Sequence, residues 1–244
     1  MAINSQAEEF VRTYNDLDRH LRKKYGLDDY KNYSDVINLA SQKDKYVNKY
    51  KEHLKTFGNL RNAIVHHLSS EYCETIAEPH PRVNILFDKM KNDIMDPPKA
   101  LHTLAIPIDK VYKTHLDENV LEVMRHMNKN AYTHVPVMKD DIVIGVFSEN
   151  TLFSYIVKNE VAIIESTTTI AEFGEFLPLN QHESECFEFV NKNASVIDIE
   201  ELFSKNLVNG KRLSVIFITH SGRPIEKILG IITAWDVAGY KESN

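Results

Sequence analysis

A strand that ends on a hydroxyl residue and runs directly into a helix is indicated twice in the C-terminal half of the chain. Residues 228–236 read Ile-Leu-Gly-Ile-Ile-Thr-Ala-Trp-Asp, and residues 142–151 read Ile-Val-Ile-Gly-Val-Phe-Ser-Glu-Asn-Thr. In both copies an apolar run of strand length carries a glycine three residues before the hydroxyl side chain. The repetition predicts two copies of one structural unit.

Matching segments precede each copy. A short strand, near Val111 in the first copy and over 187–190 in the second, is followed by an amphipathic helix. A second apolar strand follows that helix, over 133–138 in the first copy and 213–219 in the second. A short turn then leads to the strand that ends on the hydroxyl residue. The predicted order in each copy is therefore β-α-β-β-α.

The second copy carries a hydroxyl and a carboxylate that suit a sugar diol. Thr233 ends the strand, and Asp236 follows three residues later in the first helical turn, where backbone N–H groups are free. The carboxylate can accept hydrogen bonds from both hydroxyls of a ribose, while the threonine hydroxyl and the positive helix end lie toward a phosphate. The alternative is that Thr233 only caps a helix and Asp236 only occupies its first turn.

The pattern Gly-h-h-Thr-x-x-Asp, in which h is apolar, resembles the signature of the cystathionine-β-synthase (CBS) domain. The resemblance implies an α+β fold in which two β-α-β-β-α units pack as a pseudo-twofold pair with two clefts. Tandem pairs of this family commonly bind adenosine-containing ligands, so it implies AMP, ADP or ATP near Thr233 and Asp236. Lys211 and Arg212, at the start of the neighbouring strand, are candidate phosphate ligands, with a solvated charge pair as the alternative. No cofactor and no metal are expected.

The two copies differ at the position of the carboxylate. The first copy has Thr151 where the second has Asp236, so a ribose there would lose its charged acceptor. A second, weaker cleft is therefore predicted from Ser148, Thr151 and His134, and a plain surface position is the alternative for His134. The resemblance thus supports one good nucleotide site.

The first hundred residues predict an all-α helical bundle. Apolar residues recur every three or four positions from Ile3, which indicates a helix to about Lys24 that ends at Gly26. Helices are also predicted over 35–40, 43–56 and 82–95, and another is predicted to begin at Phe57-Gly58-Asn59. No strand signal of comparable strength precedes Ile106.

The predicted helix from Asn59 carries a second motif. Arg61 followed five residues later by His66 resembles the R-x4-6-H motif of HEPN domains, helical bundles that dimerise around a cleft lined by paired arginines and histidines. In the ribonucleases of that family the cleft cuts RNA without metal, which implies that Arg61 holds the scissile phosphate and His66 moves a proton. If Leu60, Ile64 and Leu68 face the core, Arg61 and His66 lie on the other side, separated by about 140°. A non-catalytic dimerisation domain is the alternative.

Composition is compatible with two soluble domains. The chain has 244 residues, of which 43% are apolar and 26% charged, enough for two cores. The predicted division is a HEPN-like bundle over 1–96, a linker over 97–109, CBS units over 110–160 and 185–244, and a connecting segment over 161–184.

Several classes of protein are disfavoured by what the sequence lacks. There is no signal or membrane-span pattern, no phosphate loop and no His-Glu-x-x-His or Gly-x-Ser-x-Gly motif. Cys73 and Cys186 have no metal-ligand spacing and are expected to be reduced thiols in a cytoplasmic protein. A lysine-rich stretch over 43–61 can follow an RNA backbone or form an ordinary solvated helix face.

Two hypotheses follow. The first is a homodimeric regulatory protein, not an enzyme, whose CBS pair senses an adenine nucleotide and transmits the signal through the helical domain. The alternative is a metal-independent HEPN-type endoribonuclease under the control of the CBS pair, with RNA as a further partner.

Overall fold

The computed structural model describes residues 6–66, 77–160, 163–205, 207–208 and 210–240. The chain divides into two units, Met1–Pro98 and Lys99–Asn244. The first is helical and the second combines helices and strands, so the predicted α+β class with an N-terminal helical region is confirmed.

The N-terminal unit contains four helices in its described part: α1 (Gln6–Tyr25), α2 (Tyr33–Ser41), α3 (Lys45–His66) and α4 (Pro81–Met95). Phe10, Phe57 and Phe87 come from three of these helices, and their ring centroids lie 4.8 to 5.7 Å apart. Phe10 and Phe87 are completely buried. Aromatic packing of this kind contributes more to stability than the buried area alone, and it holds α1, α3 and α4 together.

Helix α3 runs without interruption through Phe57-Gly58-Asn59, so the predicted start of a new helix at this point was wrong. Gly58 is needed for packing, because a Cβ atom there would lie 2.7 Å from Cδ1 of Tyr33. The glycine that looks like a helix boundary therefore provides room for a tyrosine ring from α2.

The C-terminal unit contains two successive groups of elements. The first group is α5 (Ala100–Thr103), β1 (Ile106–Pro107), α6 (Val120–Asn130), β2 (His134–Lys139), β3 (Ile142–Ser148) and α7 (Glu149–Asn159). After a 3-10 turn at Ile170–Phe173, the second group is β4 (Glu185–Asn191), α8 (Val196–Ser204), β5 (Leu207–Val208), β6 (Lys211–Thr219), β7 (Ile228–Thr233) and α9 (Ala234–Gly239).

The described residues of this unit form two sheets. Strands β2 and β3 make an antiparallel pair, and the other sheet has the order β1-β7-β6-β4 with β5 also paired to β6. Strand β4 is parallel to β6, and the remaining pairs of that sheet are antiparallel. The first copy has no strand at Val111. A single parallel bridge from Thr114 to Val137 takes its place.

Each strand pair is completed by a segment from outside its own copy. Ile106 of β1 pairs with Ile231 of β7, and the N–H of Val146 on β3 donates to the carbonyl of Leu177 at 2.9 Å. The segments interpreted as a linker (97–109) and a connection (161–184) thus contribute to the sheets. Apolar residues of both strand pairs then form one shared cluster: Met138, Val143, Val146, Val215, Phe217, Ile228 and Ile231.

The contacts that Leu177 makes with β3 and Ile106 makes with β7, where one segment crosses close to another, explain the repeated glycine. A Cβ atom on Gly145 would lie 2.8 Å from the carbonyl carbon of Leu177, and one on Gly230 would lie 2.8 Å from the carbonyl oxygen of Ile106. Real Cβ atoms do not approach backbone so closely. The glycine of each copy therefore allows the crossing segment to reach the strand.

Candidate functional site

A cavity of about 330 Å³ lies where the start of the C-terminal unit meets β2, β6 and β7. Its apolar lining consists of Ile106, Val111, Pro136, Val146, Val215, Phe217 and Ile231. Its polar and aromatic lining includes Lys110, Tyr112, Asn130, Tyr132, Thr133, His134, Thr233, Trp235 and Asp236. An apolar interior with a few polar side chains is typical of small-molecule sites.

Thr233 and Asp236 meet as the sequence predicts. Thr233 caps α9, and both its backbone N–H and its hydroxyl donate to Oδ2 of Asp236, each at 2.7 Å. None of the described residues donates a hydrogen bond to the other carboxylate oxygen, Oδ1. The capping interpretation is therefore realised, but it uses only one of the two oxygens and leaves an acceptor on a residue that lines the cavity.

Aromatic side chains line part of the cavity. Trp235, the single tryptophan of the chain, is 83% exposed, and Tyr132 is 42% exposed. Tyr112 stacks on His126 with ring centroids 3.7 Å apart. Exposed aromatic faces beside a cavity provide surfaces on which a planar ring can stack.

The cations that the sequence suggests for this site lie elsewhere. Neither Lys211 nor Arg212 lines the cavity. Nζ of Lys211 donates to the backbone carbonyl of His182. Arg212 is exposed, and its backbone lies opposite that of Glu185 in the register of β6 and β4. Lys110 lines the cavity instead. It escaped the sequence analysis because it is the first residue of the predicted unit 110–160, directly after the predicted linker, and nothing local shows that this linker pairs with β7.

The predicted second cleft is built differently. Ser148 caps α7, and its backbone N–H donates to the hydroxyl of Thr151 at 3.0 Å. Ser148 and Thr151 are each 1% exposed, so this strand end is buried. The Ser148 hydroxyl donates at 2.6 Å to Glu185, the first residue of β4.

Glu185 is also 1% exposed and is bonded on both oxygens. Its Oε1 contacts the Ser148 hydroxyl and Nδ1 of His182, at 2.6 and 2.7 Å. Its Oε2 contacts Nε2 of His134 and Nδ2 of Asn150, both at 2.8 Å. Burial alone would raise the pKa of Glu185, but the hydrogen bonds from His134, His182 and Ser148 outweigh it and hold the pKa well below its usual range.

His134 is therefore not a plain surface histidine. It bonds Glu185, and it also lines the cavity of Thr233 and Asp236. Sequence reasoning missed Glu185, His182 and Asn150. The contacts of Glu185 with His134, Ser148 and Asn150 span 35 to 51 residues, so no local pattern indicates them.

The sequence predicts that Arg61, in the N-terminal unit, lies on the side of α3 that faces away from the core, and the structure places it differently. Its guanidinium lies 5.3 Å from the ring centroid of the buried Tyr14, and Arg61 shares a helix face with the buried residues Phe57 and Ile64. Packing of Phe57 against α1 and α4 orients the helix in this way. His66 is the last residue of α3, and its side chain lies outside the described residues.

Three other residues named by the sequence analysis, Ile3, Leu68 and Cys73, also lie outside the described part of the chain. Cys186 is a free, half-buried thiol whose pKa is raised, mainly by burial. Within the described ranges, no group of His, Cys, Asp and Glu residues has a geometry that could hold a metal ion. No described helix is both long and apolar enough to cross a bilayer.

Residues 104–158 match the family model of the CBS domain. The matched segment includes β1 to β3 and most of α7, but not the second copy with Thr233 and Asp236. A comparison with curated proteins found no match.

Several solved structures resemble part of the chain. CbpB in complex with c-di-AMP is 20% identical, with 55% of this chain and 79% of that chain covered and a TM-score of 0.40. CBSX2 in complex with AMP is 13% identical, with coverages of 58% and 93% and a TM-score of 0.40. A CBS domain protein from Streptococcus pneumoniae TIGR4 is 13% identical, with coverages of 58% and 87% and a TM-score of 0.40.

Proposed function

We propose that this chain is a regulatory protein that binds an adenine nucleotide of the AMP, ADP or ATP type in the cavity of Thr233 and Asp236. The observation that carries the proposal is the carboxylate of Asp236, which is held in place through Oδ2 while Oδ1 accepts no hydrogen bond from the described residues. A fixed carboxylate oxygen beside a cavity is an acceptor for the hydroxyls of a ribose.

The rest of the lining suits the other parts of a nucleotide. Val215, Phe217 and Ile231 offer an apolar surface for the base, and Lys110 offers a cation for phosphate. The volume of about 330 Å³ lies at the lower end of the range for ligand sites, which favours a mononucleotide over a larger dinucleotide. The match of residues 104–158 to the CBS domain family supports the same interpretation.

We further propose that the protein acts as a homodimer. Helix α7 exposes Phe153, Ile156 and Val157, at 66%, 38% and 60%, and these residues share one helix face. A second copy of this chain would cover that apolar face through a twofold interface. The helical unit would then transmit the state of the nucleotide site. RNA cleavage by Arg61 and His66 remains the alternative function.

Calorimetric titration with AMP, ADP and ATP tests the proposed site. We expect binding to the wild type and a loss of about 1.5 to 3 kcal/mol for Asp236→Ala, the range for a hydrogen bond to a charged group. That loss is a factor of about 10 to 150 in Kd. Unchanged affinity in the variant for every nucleotide would refute the site assignment.

The chain contains a matched control. Asp198 in α8 accepts hydrogen bonds from the N–H and hydroxyl of Ser195, at 3.0 and 2.7 Å, which is the same helix cap that Asp236 makes with Thr233. Asp198 does not line the cavity. Asp198→Ala should therefore lose a comparable helix cap and keep nucleotide affinity. Equal losses of affinity in the two variants would assign the effect to helix capping, not to the ligand.

A further inference from the structure

We infer that Glu185 closes the first-copy cleft by acting as an internal substitute for a ligand, so that each chain holds one nucleotide and not two. The number of nucleotides rests on the proposed function. The closure by Glu185 rests only on the contacts within the C-terminal unit.

The two strand ends place a carboxylate in different ways. At the end of β7, Asp236 comes from the following helix and bonds both donors of Thr233. At the end of β3, the hydroxyl of Thr151 takes over the bond to the N–H of Ser148. The Ser148 hydroxyl thereby remains free to donate outward, and it meets Glu185 from the distant strand β4.

Glu185 has no capacity left for an incoming ligand. A carboxylate has two oxygens with about four acceptor positions, and four side chains fill them, two on each oxygen. These donors are Ser148, His182, His134 and Asn150. A ribose entering here would find neither an open acceptor nor an open hydroxyl, since Ser148 is 1% exposed.

His182 strengthens the closure. Its Nδ1 lies 2.7 Å from Oε1 of Glu185 and its Nε2 lies 3.2 Å from the carbonyl oxygen of Leu177, so both ring nitrogens face acceptors. His182 is 4% exposed, so its contacts with Glu185 and Leu177 are shielded from solvent. A nucleotide would have to separate this pair to enter.

The number of nucleotides per chain tests the inference on the wild-type protein. Native mass spectrometry and calorimetry with AMP should give one AMP per chain at saturation. Two AMP molecules per chain would overturn the closure while leaving the proposed function intact. Absence of any nucleotide binding would refute the proposed function, and the closure is then decided by a second experiment that needs no nucleotide.

The second experiment removes the carboxylate of Glu185 and supplies formate, a small carboxylate, from solution. Glu185→Ala should leave four donors around a hole that formate fills, so 100 mM formate should raise its melting temperature by about 3 °C more than that of the wild type. Glu188→Ala is the control, because Glu188 lies on the same strand and has no side-chain hydrogen bond to the described residues. Equal shifts in all three proteins would overturn the inference.

If Glu185→Ala does not fold in either buffer, the wild type decides the question. Nitrogen-15 spectra of the histidine side chains should show slowly exchanging ring N–H protons for His134 and His182, assigned by their loss in the variants His134→Gln and His182→Gln. Rapid exchange of these protons with solvent would show that the cleft is open and would overturn the inference.

Discussion

Replacing Gly145 by alanine tests whether the repeated glycine serves the strand crossing. The new Cβ would lie 2.8 Å from the carbonyl carbon of Leu177, and this atom belongs to backbone that cannot rotate away. Overpacking of this kind costs about 1 to 3 kcal/mol. The crossing segment must move, so the hydrogen bond from Val146 to Leu177 is also lost, at about 0.5 to 1.5 kcal/mol. We expect a total loss of about 1.5 to 4.5 kcal/mol in the free energy of unfolding.

Chemical denaturation followed by circular dichroism measures this loss. Gly230→Ala should behave in the same way, because its Cβ would lie 2.8 Å from the carbonyl oxygen of Ile106. Gly239→Ala is the control, since no described residue beyond its chain neighbours and its own helix backbone has a heavy atom within 4 Å of the added Cβ, and it should be neutral or slightly stabilising. If Gly145→Ala is as stable as Gly239→Ala, the glycine does not serve the crossing and the explanation is wrong.

Three further predictions concern stability, assembly and RNA. Because the folded-state pKa of Glu185 is depressed, its carboxylate stabilises the fold above the unfolded pKa of about 4.3 and this contribution fades at lower pH. Glu185→Gln should thus cost about 2 to 4 kcal/mol at neutral pH and progressively less below about pH 4, and a pH-independent difference in denaturation midpoints would refute this. Light scattering at micromolar concentration should give twice the chain mass of 28.1 kDa for the wild type and the single chain mass for Phe153→Glu. A monomeric wild type would count against the proposed dimer. In the presence of a chelator, the wild type should cut a labelled single-stranded RNA pool no more than a double Arg61→Ala/His66→Ala variant does, because Arg61 packs on Tyr14. Cleavage that the double variant loses, with or without AMP, would establish the ribonuclease.

Local patterns predict the parts of this fold that are held by neighbours in sequence. The cap between Thr233 and Asp236 spans three residues, and the helical character of the N-terminal region follows from a regular apolar spacing. Gly58 shows the limit of such reasoning. It looks like a helix boundary, but the ring of Tyr33, which makes glycine necessary, comes from another helix.

The closed cleft was beyond sequence reasoning for a related reason. Ser148 and Thr151 look like a weaker version of the second site, and nothing near them in sequence indicates that Glu185 fills the space. Lys211 and Arg212 stand at the start of an apolar strand, a position that made them candidate phosphate ligands. Neither residue lines the cavity, and Lys110 lies there instead. Both differences depend on how distant segments cross, which spacing within one segment does not encode.

The most direct test of the nucleotide site compares AMP with 2′,3′-dideoxy-AMP on the wild type and on Asp236→Ala, by calorimetric titration. If Asp236 accepts hydrogen bonds from the ribose, the wild type should lose about 1.5 to 3 kcal/mol when the hydroxyls are removed, and the variant should bind both compounds equally. A wild type that binds the dideoxy compound as tightly as AMP would contradict the account.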